Sequence, residues 1–127
     1  MLEKLKKLVD NAYSPYYNFK VGCIVTTKDG NEFVGVNVEN ANGTSICAER
    51  NAISNAIANG YKKGDFSKLY TYFENGKHGT PCFACRQVIL EFFNKEDQII
   101  SIDKDGNEIV HTVSELCPYP FDNEDLK

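Results

Sequence analysis

Three cysteines stand at spacings that suit a metal site. Cys82 and Cys85 form a Cys-x-x-Cys pair at the start of one predicted helix, and Cys47 opens another. The positive end of a helix stabilises a thiolate placed there, so all three sulfurs could act as ligands. Zinc prefers four tetrahedral ligands, and a catalytic zinc keeps one position open for water. Three thiolates and one water satisfy that preference, so the spacing predicts a zinc site.

Glu49 follows Cys47 by two residues and lies on the first turn of the same predicted helix. From there its carboxylate can reach a water molecule on the metal and exchange a proton with it. Two simpler interpretations stay open, because the glutamate could be a partner of the helix dipole and the Cys-x-x-Cys pair could be a redox pair. A closed structural zinc site is a third, with His78 or Cys117 as the fourth ligand.

Hydrophobic spacing and turn signals predict the elements that position these residues. An amphipathic helix begins the chain, and an Asp-Gly turn at residues 28–31 joins the two strands that follow it. Next come a helix from near Cys47, a strand in SKLYTYFEN, a helix from Pro81 to about Asn94, and a second strand–turn–strand with a helical turn at VSEL. We therefore expect an α/β fold, with one mixed central β-sheet flanked by helices, in a single domain over residues 1–127. A right-handed crossover would put the two central helices on one face.

The composition narrows the possible partners. The chain has 127 residues and a formal net charge of -4, and its lysines are scattered. Nucleic-acid binding needs a concentrated basic surface, so we expect no nucleic-acid partner and favour a small molecule. No segment is long and apolar enough to cross a bilayer, so no membrane partner is expected. Five cysteines is an odd number, which favours metal binding by reduced thiols in the cytoplasm over a disulfide framework.

Five stretches occur in a telling order along nearly the whole chain: YSPYYNFKVG, GVNVENA, CAER, PCFACRQV and ELCPYPF. Together they resemble the cytidine deaminase family, in its short, all-cysteine form that is usually a homotetramer. Zinc deaminases carry a His- or Cys-x-Glu followed by Pro-Cys-x-x-Cys, and their glutamate acts as acid and base. The resemblance implies a three-layer cytidine-deaminase-like fold and a bound Zn²⁺. It also implies hydrolytic deamination of cytidine or deoxycytidine to uridine or deoxyuridine, with release of ammonia, in pyrimidine salvage.

The resemblance assigns the chemical steps to particular side chains. Glu49 would take a proton from the attacking water, pass it to ring N3 and then protonate the departing amine. Cys47, Cys82 and Cys85 would be the metal ligands. Three thiolates leave the site with net negative charge. Arg50 and Arg86, each just past a ligand, would donate hydrogen bonds to the sulfurs and offset that charge, with a surface role as the alternative.

Further residues would contact the nucleoside. Asn37 and Glu39 match the pair that holds the sugar hydroxyls, and strand alternation puts them on one face of the predicted second strand. Phe19 matches an aromatic residue near the substrate, with simple core packing as the alternative. The backbone N–H of Ala48 and the carbonyl of Thr80 would contact the base.

Phe121 resembles the aromatic residue that reaches into a neighbouring subunit's site, so the active sites would form only in the homotetramer.

The chain departs from the family pattern in three places. Phe83 stands where glycine is usual, Tyr17 replaces a commonly small residue, and the loop of residues 40–45 is short. These departures bear on substrate choice more than on the chemistry. Deamination of a modified cytosine nucleoside or a blasticidin S-like antibiotic is therefore an alternative, as is a non-catalytic, zinc-stabilised binding domain.

Overall fold

The computed structural model describes all 127 residues and follows the predicted order of helices and strands. Its elements are α1 Leu2–Val9, β1 Val21–Thr27, β2 Glu32–Val36, α2 Ala48–Ala58, β3 Phe66–Phe73, α3 Phe83–Phe92, β4 Gln98–Ile102, β5 Glu108–Thr112, α4 Val113–Leu116 and a 3-10 helix, Asn123–Leu126. The expected α/β class is confirmed. The closing 3-10 helix was not among the predicted elements.

The five strands form one mixed sheet in the order β2-β1-β3-β4-β5. Strands β3 and β4 are parallel, and the other neighbouring strands are antiparallel. Parallel neighbours need a long connection, which α3 provides. The Cys-x-x-Cys pair lies within this crossover, at the start of α3 and after the loop that follows β3.

The sheet lies between two helical layers, which gives the three-layer arrangement. Successive residues of β1 face opposite sides, so Ile24 packs with α1 while Cys23 and Val25 pack with the helices of the other layer. The core on the α1 side contains Leu5, Val9, Ile24, Tyr72, Ile100 and Ile102. The larger core on the other side includes Val25, Ala52, Ile53, Phe66, Leu69, Ile89 and Val113. No helix combines the length and the apolar character needed to span a bilayer.

Helix α2 lies unusually close to β2 because residue 35 is glycine. A Cβ atom built on Gly35 would overlap the carbonyl oxygen of Ala48 and the backbone nitrogen of Ala52. The Asn51 side chain fixes this approach, since its Nδ2 donates to the carbonyl of Val36 at 2.7 Å. The start of α2, with its cysteine and glutamate, is thereby held against the end of the sheet.

The ends of two elements and the exposure of one residue differ from the sequence predictions. Strand β2 ends at Val36, and α3 ends at Phe92 rather than near Asn94. Strand pairing of β2 ends at Val36 because the next residue, Asn37, uses its side-chain Oδ1 to accept the hydrogen bond from the backbone N–H of Val21. Beyond it, the chain pairs with Tyr13 instead. Ile57, predicted on the apolar stripe of α2, is exposed.

Candidate active site

The structure brings together the three sulfurs that the sequence singled out. Cys47 is the N-cap of α2, Cys82 is the N-cap of α3, and Cys85 lies on the first turn of α3. Their sulfur atoms all lie within 4.8 Å of one another. The Sγ atoms of Cys47 and Cys82 are 3.7 Å apart. Two helix N-termini therefore meet at one cluster of thiols.

The cluster fits zinc. A tetrahedral ion with Zn–S bonds of about 2.3 Å needs sulfurs about 3.8 Å apart, close to the Cys47–Cys82 distance. No fourth histidine, cysteine or acidic residue belongs to the cluster. His78 Nδ1 lies 3.0 Å from Ser101 Oγ, and Cys117 Sγ lies 3.7 Å from the carbonyl of Arg86. Neither can close the site, so the closed structural zinc site is not supported.

Arg50 lies beside the cluster as predicted. Its Nη2 is 3.4 Å from Cys47 Sγ, and the bond to this sulfur, with Cys85 also contributing, raises the pKa of the guanidinium. A hydrogen bond from Cys85, together with Arg50, lowers the pKa of Cys47 to about 5 although burial opposes ionisation. The Nε of Arg50 is buried without a partner. Because a buried positive charge is stabilised by negative neighbours, the Arg50 guanidinium favours ionised sulfurs beside it, and metal-bound thiolates would supply that negative charge.

Arg86 does not donate to the sulfurs, and that prediction is wrong. Its Nε donates to the Pro81 carbonyl at 2.8 Å, its Nη1 to the Leu116 carbonyl at 2.9 Å and its Nη2 to Thr80 Oγ1 at 2.8 Å. The guanidinium carbon also lies 4.4 Å from the centroid of the Phe83 ring. These oxygens occupy all three arms of the guanidinium. Arg86 therefore ties the loop before α3 to α4.

Glu49 is buried on the first turn of α2, with 6% of its surface exposed. Burial, with a smaller contribution from the charge of Cys47, raises the pKa of its carboxyl group to about 7, although hydrogen bonds from its own backbone and Cys85 lower it. A carboxyl group with such a pKa can both accept and give a proton near neutral pH. A partner of the helix dipole would be expected on the surface, so burial distinguishes Glu49 from that simpler interpretation.

A cavity of about 190 Å³ opens beside the cluster. It is lined by Phe19, Val21, Asn37, Cys47, Ala48, Glu49, Phe73, Thr80 and Cys82. Sequence reasoning had singled out seven of these residues, and it missed Val21 and Phe73. Their one signal was position: each lies at an end of a strand, and Phe73 leads into the loop that carries the Pro-Cys-x-x-Cys motif.

Asn37 and Glu39 are placed differently. Asn37 lines the cavity, whereas Glu39 is buried and is not part of the cavity lining. The Glu39 carboxylate accepts hydrogen bonds from Ser14 Oγ and from the backbone N–H groups of Tyr16 and Tyr17. Burial opposes its ionisation, but these bonds outweigh burial and lower the pKa of Glu39. Glu39 therefore fixes the loop between α1 and β1.

Phe121 lies outside the cavity of its own chain. It lines a second depression of about 220 Å³ with the start of α3. Gln87 Nε2 donates to its carbonyl at 2.7 Å, and its ring is exposed. Phe83 and Tyr119 are also exposed on this surface. The Phe83 side chain points to this surface and is not part of the cavity lining.

Comparisons with known proteins agree with this geometry. Residues 1–100 match the family model for the cytidine and deoxycytidylate deaminase zinc-binding region. A cytidine deaminase from Mycoplasma genitalium is 35% identical over 122 residues, which cover 95% of this chain and 92% of the relative. Another cytidine deaminase, from Sporosarcina psychrophila, is 35% identical over 127 residues, which cover 99% of this chain and 92% of the relative.

The fold matches a solved structure over the same extent. The crystal structure of cytidine deaminase from Burkholderia pseudomallei superposes with a TM-score of 0.88 and 38% sequence identity, covering 94% of this chain and 95% of that one. Sequence family, fold and sulfur cluster thus agree over most of the chain. This chain therefore belongs to the cytidine and deoxycytidylate deaminase family.

Proposed function

We propose that this protein is a zinc-dependent hydrolase that converts cytidine and deoxycytidine to uridine and deoxyuridine with release of ammonia, in pyrimidine salvage. One observation carries the proposal: the buried carboxyl group of Glu49 and the sulfurs of Cys47 and Cys82 line the same cavity. A structural zinc site needs neither a cavity nor a buried acid. A hydrolase needs both.

Cys47, Cys82 and Cys85 would hold the zinc ion. When bound, zinc supplies a water molecule whose pKa is lowered toward neutrality. Arg50 would stabilise the thiolates through its contact with Cys47 Sγ, which keeps their negative charge from weakening the metal's acidity.

Glu49 would move the protons. A carboxylate oxygen of Glu49 would accept the proton that the attacking water gives up and deliver it to N3 of the cytosine ring. The same oxygen would then accept the remaining proton of the hydroxyl group added at C4 and give it to the amine, so that the C4=O bond forms as the C4–N bond breaks and ammonia leaves. The carboxylate thus ends the cycle as it began. The low exposure of Glu49 keeps bulk water from competing for that proton.

The cavity walls would orient the nucleoside. The N–H of Ala48 and the carbonyl of Thr80 would bind the base, and the Phe19 ring would pack against it. The Asn37 amide would bind the sugar. Glu39 would accept from a sugar hydroxyl, because its internal hydrogen bonds are three and a carboxylate offers about four acceptor sites.

We also infer a homotetramer in which Phe121 enters a neighbouring chain's cavity. The exposed surface formed by Phe83, Tyr119 and Phe121 supports this, because a contiguous aromatic surface is typical of protein interfaces. Light scattering of the zinc-loaded protein, compared with Phe121→Ala, tests the assembly. A monomeric active protein would contradict it.

We also propose that the protein works in a reducing compartment such as the cytoplasm. All five cysteines are free, which supports this location.

A spectrophotometric assay tests the function. Zinc-loaded protein should deaminate cytidine or deoxycytidine, and Glu49→Gln should lower kcat by about 100- to 10,000-fold with zinc content unchanged. Glu115→Gln is a matched control, since Glu115 is an exposed capping residue of α4 and lies outside the cavity lining. Turnover of a modified cytosine or an antibiotic alone would contradict the substrate assignment. A zinc-loaded wild type without any activity would contradict the enzymatic proposal.

A further inference from the structure

Phe73 is an aromatic residue of the cavity wall that has no role in the mechanism above. It is the last residue of β3 and lies against both the cavity and the core. Its ring centroid is 5.0 Å from that of Phe19, with the planes inclined by 59°. Aromatic pairs favour this tilted arrangement, so the two rings form one continuous wall.

The Phe73 ring occupies the space that a side chain at position 79 would need. A Cβ atom built on Gly79 would overlap Cε2 and Cζ of Phe73, and its third-nearest atom, at 3.2 Å, is Cδ2 of the same ring. The backbone of Gly79 is not in the left-handed region. Only the ring therefore excludes a larger residue there. Phe73 and Gly79 form a matched pair.

This pair lies directly beside the proposed base contacts. Gly79 precedes Thr80, and its N–H donates to Ser101 Oγ at 3.2 Å, which holds the loop in place. The ring of Phe73 is thus confined by Phe19 on one side and by an anchored backbone on the other. A wall confined in this way cannot retreat from a larger ligand without strain.

The chemistry determines which part of cytosine meets this wall. C4 must face the sulfur cluster, because the hydroxyl group would be added to C4 from that side. N3 must face Glu49, because Glu49 would give its proton to N3. The C5–C6 edge carries no hydrogen-bonding group, so it belongs against the apolar lining, which consists of Phe19, Val21 and Phe73.

We propose that Phe73 is a specificity-determining residue: it builds the aromatic wall against the C5–C6 edge of cytosine and limits substituents on that edge. The proposal rests on the function proposed above. It predicts tight packing on unsubstituted cytosine and poor acceptance of a methyl group at C5.

Ligand binding and specificity test the role of the wall. Phe73→Ala should weaken uridine binding, measured by calorimetry, about tenfold, and should raise KM for cytidine more than it lowers kcat. The kcat/KM ratio of 5-methylcytidine to cytidine should rise about tenfold, since a pocket discriminates one methyl group by about that factor or more. Phe73→Leu serves as a second variant if the alanine variant does not fold.

Phe92→Ala is the matched control, because Phe92 pairs with Phe66 in the core at 6.4 Å and lies outside the cavity lining. It should lower stability and leave uridine affinity unchanged. Equal substrate ratios in wild type, Phe73→Ala and Phe73→Leu would overturn the proposal. An inactive wild type would instead refute the proposed function, so the two failures are distinguishable.

Thermal denaturation tests the matched pair without any activity. Gly79→Ala should lower the melting temperature by several degrees in the wild type and much less in a Phe73→Ala background, because the clash has been removed. Additive effects of the two substitutions would show that the ring does not exclude a side chain at position 79, and would overturn this part of the argument.

Discussion

Nη2 of Arg50 lies 3.4 Å from Sγ of Cys47, whereas the guanidinium of Arg86 points away from the sulfurs. Each arginine closely follows a cysteine of the cluster in sequence, yet the two side chains have different roles. Arg50 supplies charge to the cluster, and Arg86 supplies mechanical support to the loop before α3. This difference separates the effects expected from substituting them.

Arg50→Gln should impair the metal centre. Without the positive charge beside Cys47, the thiolates would be less well stabilised, and zinc affinity or kcat/KM should fall about 10- to 100-fold. Competition with a chelator and steady-state kinetics measure the two effects. Lys62→Gln, on the exposed surface, is the control. Wild-type zinc affinity and wild-type activity together would contradict this role.

Arg86→Ala should instead destabilise the fold. It removes hydrogen bonds to the carbonyls of Pro81 and Leu116 and to Thr80 Oγ1, and we expect a loss of about 2 kcal/mol in the free energy of unfolding. Urea denaturation of the zinc-loaded protein measures this loss. Zinc stoichiometry should stay intact. A variant as stable as the wild type that has lost its zinc would show that Arg86 acts on the metal after all.

The ligand assignment can be checked by elemental analysis. Cys85→Ala should lose bound zinc, because two thiolates remain and Cys85 is the most deeply buried of the three. Cys117→Ala should keep one zinc per chain, since its Sγ faces the carbonyl of Arg86. Adding a chelator should lower the melting temperature of wild type and Cys117→Ala alike. Loss of zinc from Cys117→Ala would revive the closed site.

Glu39 should make stability depend on pH in the acid range. Its pKa is lower in the folded chain than in the unfolded one, so its stabilising effect is complete above the unfolded value of about 4.3. That effect is lost as pH falls through the folded value. Glu39→Gln should therefore be less stable at pH 7 and lose less stability between neutral and acid pH. Parallel stability curves for the two proteins would contradict this.

The parts of the site that the sequence predicted are those encoded by local spacing. A cysteine and a glutamate two residues apart, followed by a Cys-x-x-Cys pair at a helix start, limit where their side chains can point. The element order likewise follows from hydrophobic periodicity and two Asp-Gly turns.

The parts that were missed depend on partners far apart in sequence. Arg86 reaches the carbonyl of Leu116, and Glu39 receives its bonds from the loop that contains Ser14. The end of β2 is likewise set by a side-chain bond to Val21. Neither periodicity nor motif spacing contains these contacts. In the sequence, Phe73 cannot be distinguished from other aromatic strand residues, because its contact with the backbone of Gly79 appears only in the folded chain.

The contact at Gly35 links a residue without a side chain to the chemistry of the site. Anything larger than hydrogen there would lift the start of α2 outward and carry the sulfur of Cys47 away from that of Cys82. The penalty for such a change would thus fall on metal retention as well as on folding. A screen for zinc loss should therefore recover this glycine alongside the three cysteines, although it never touches the ion.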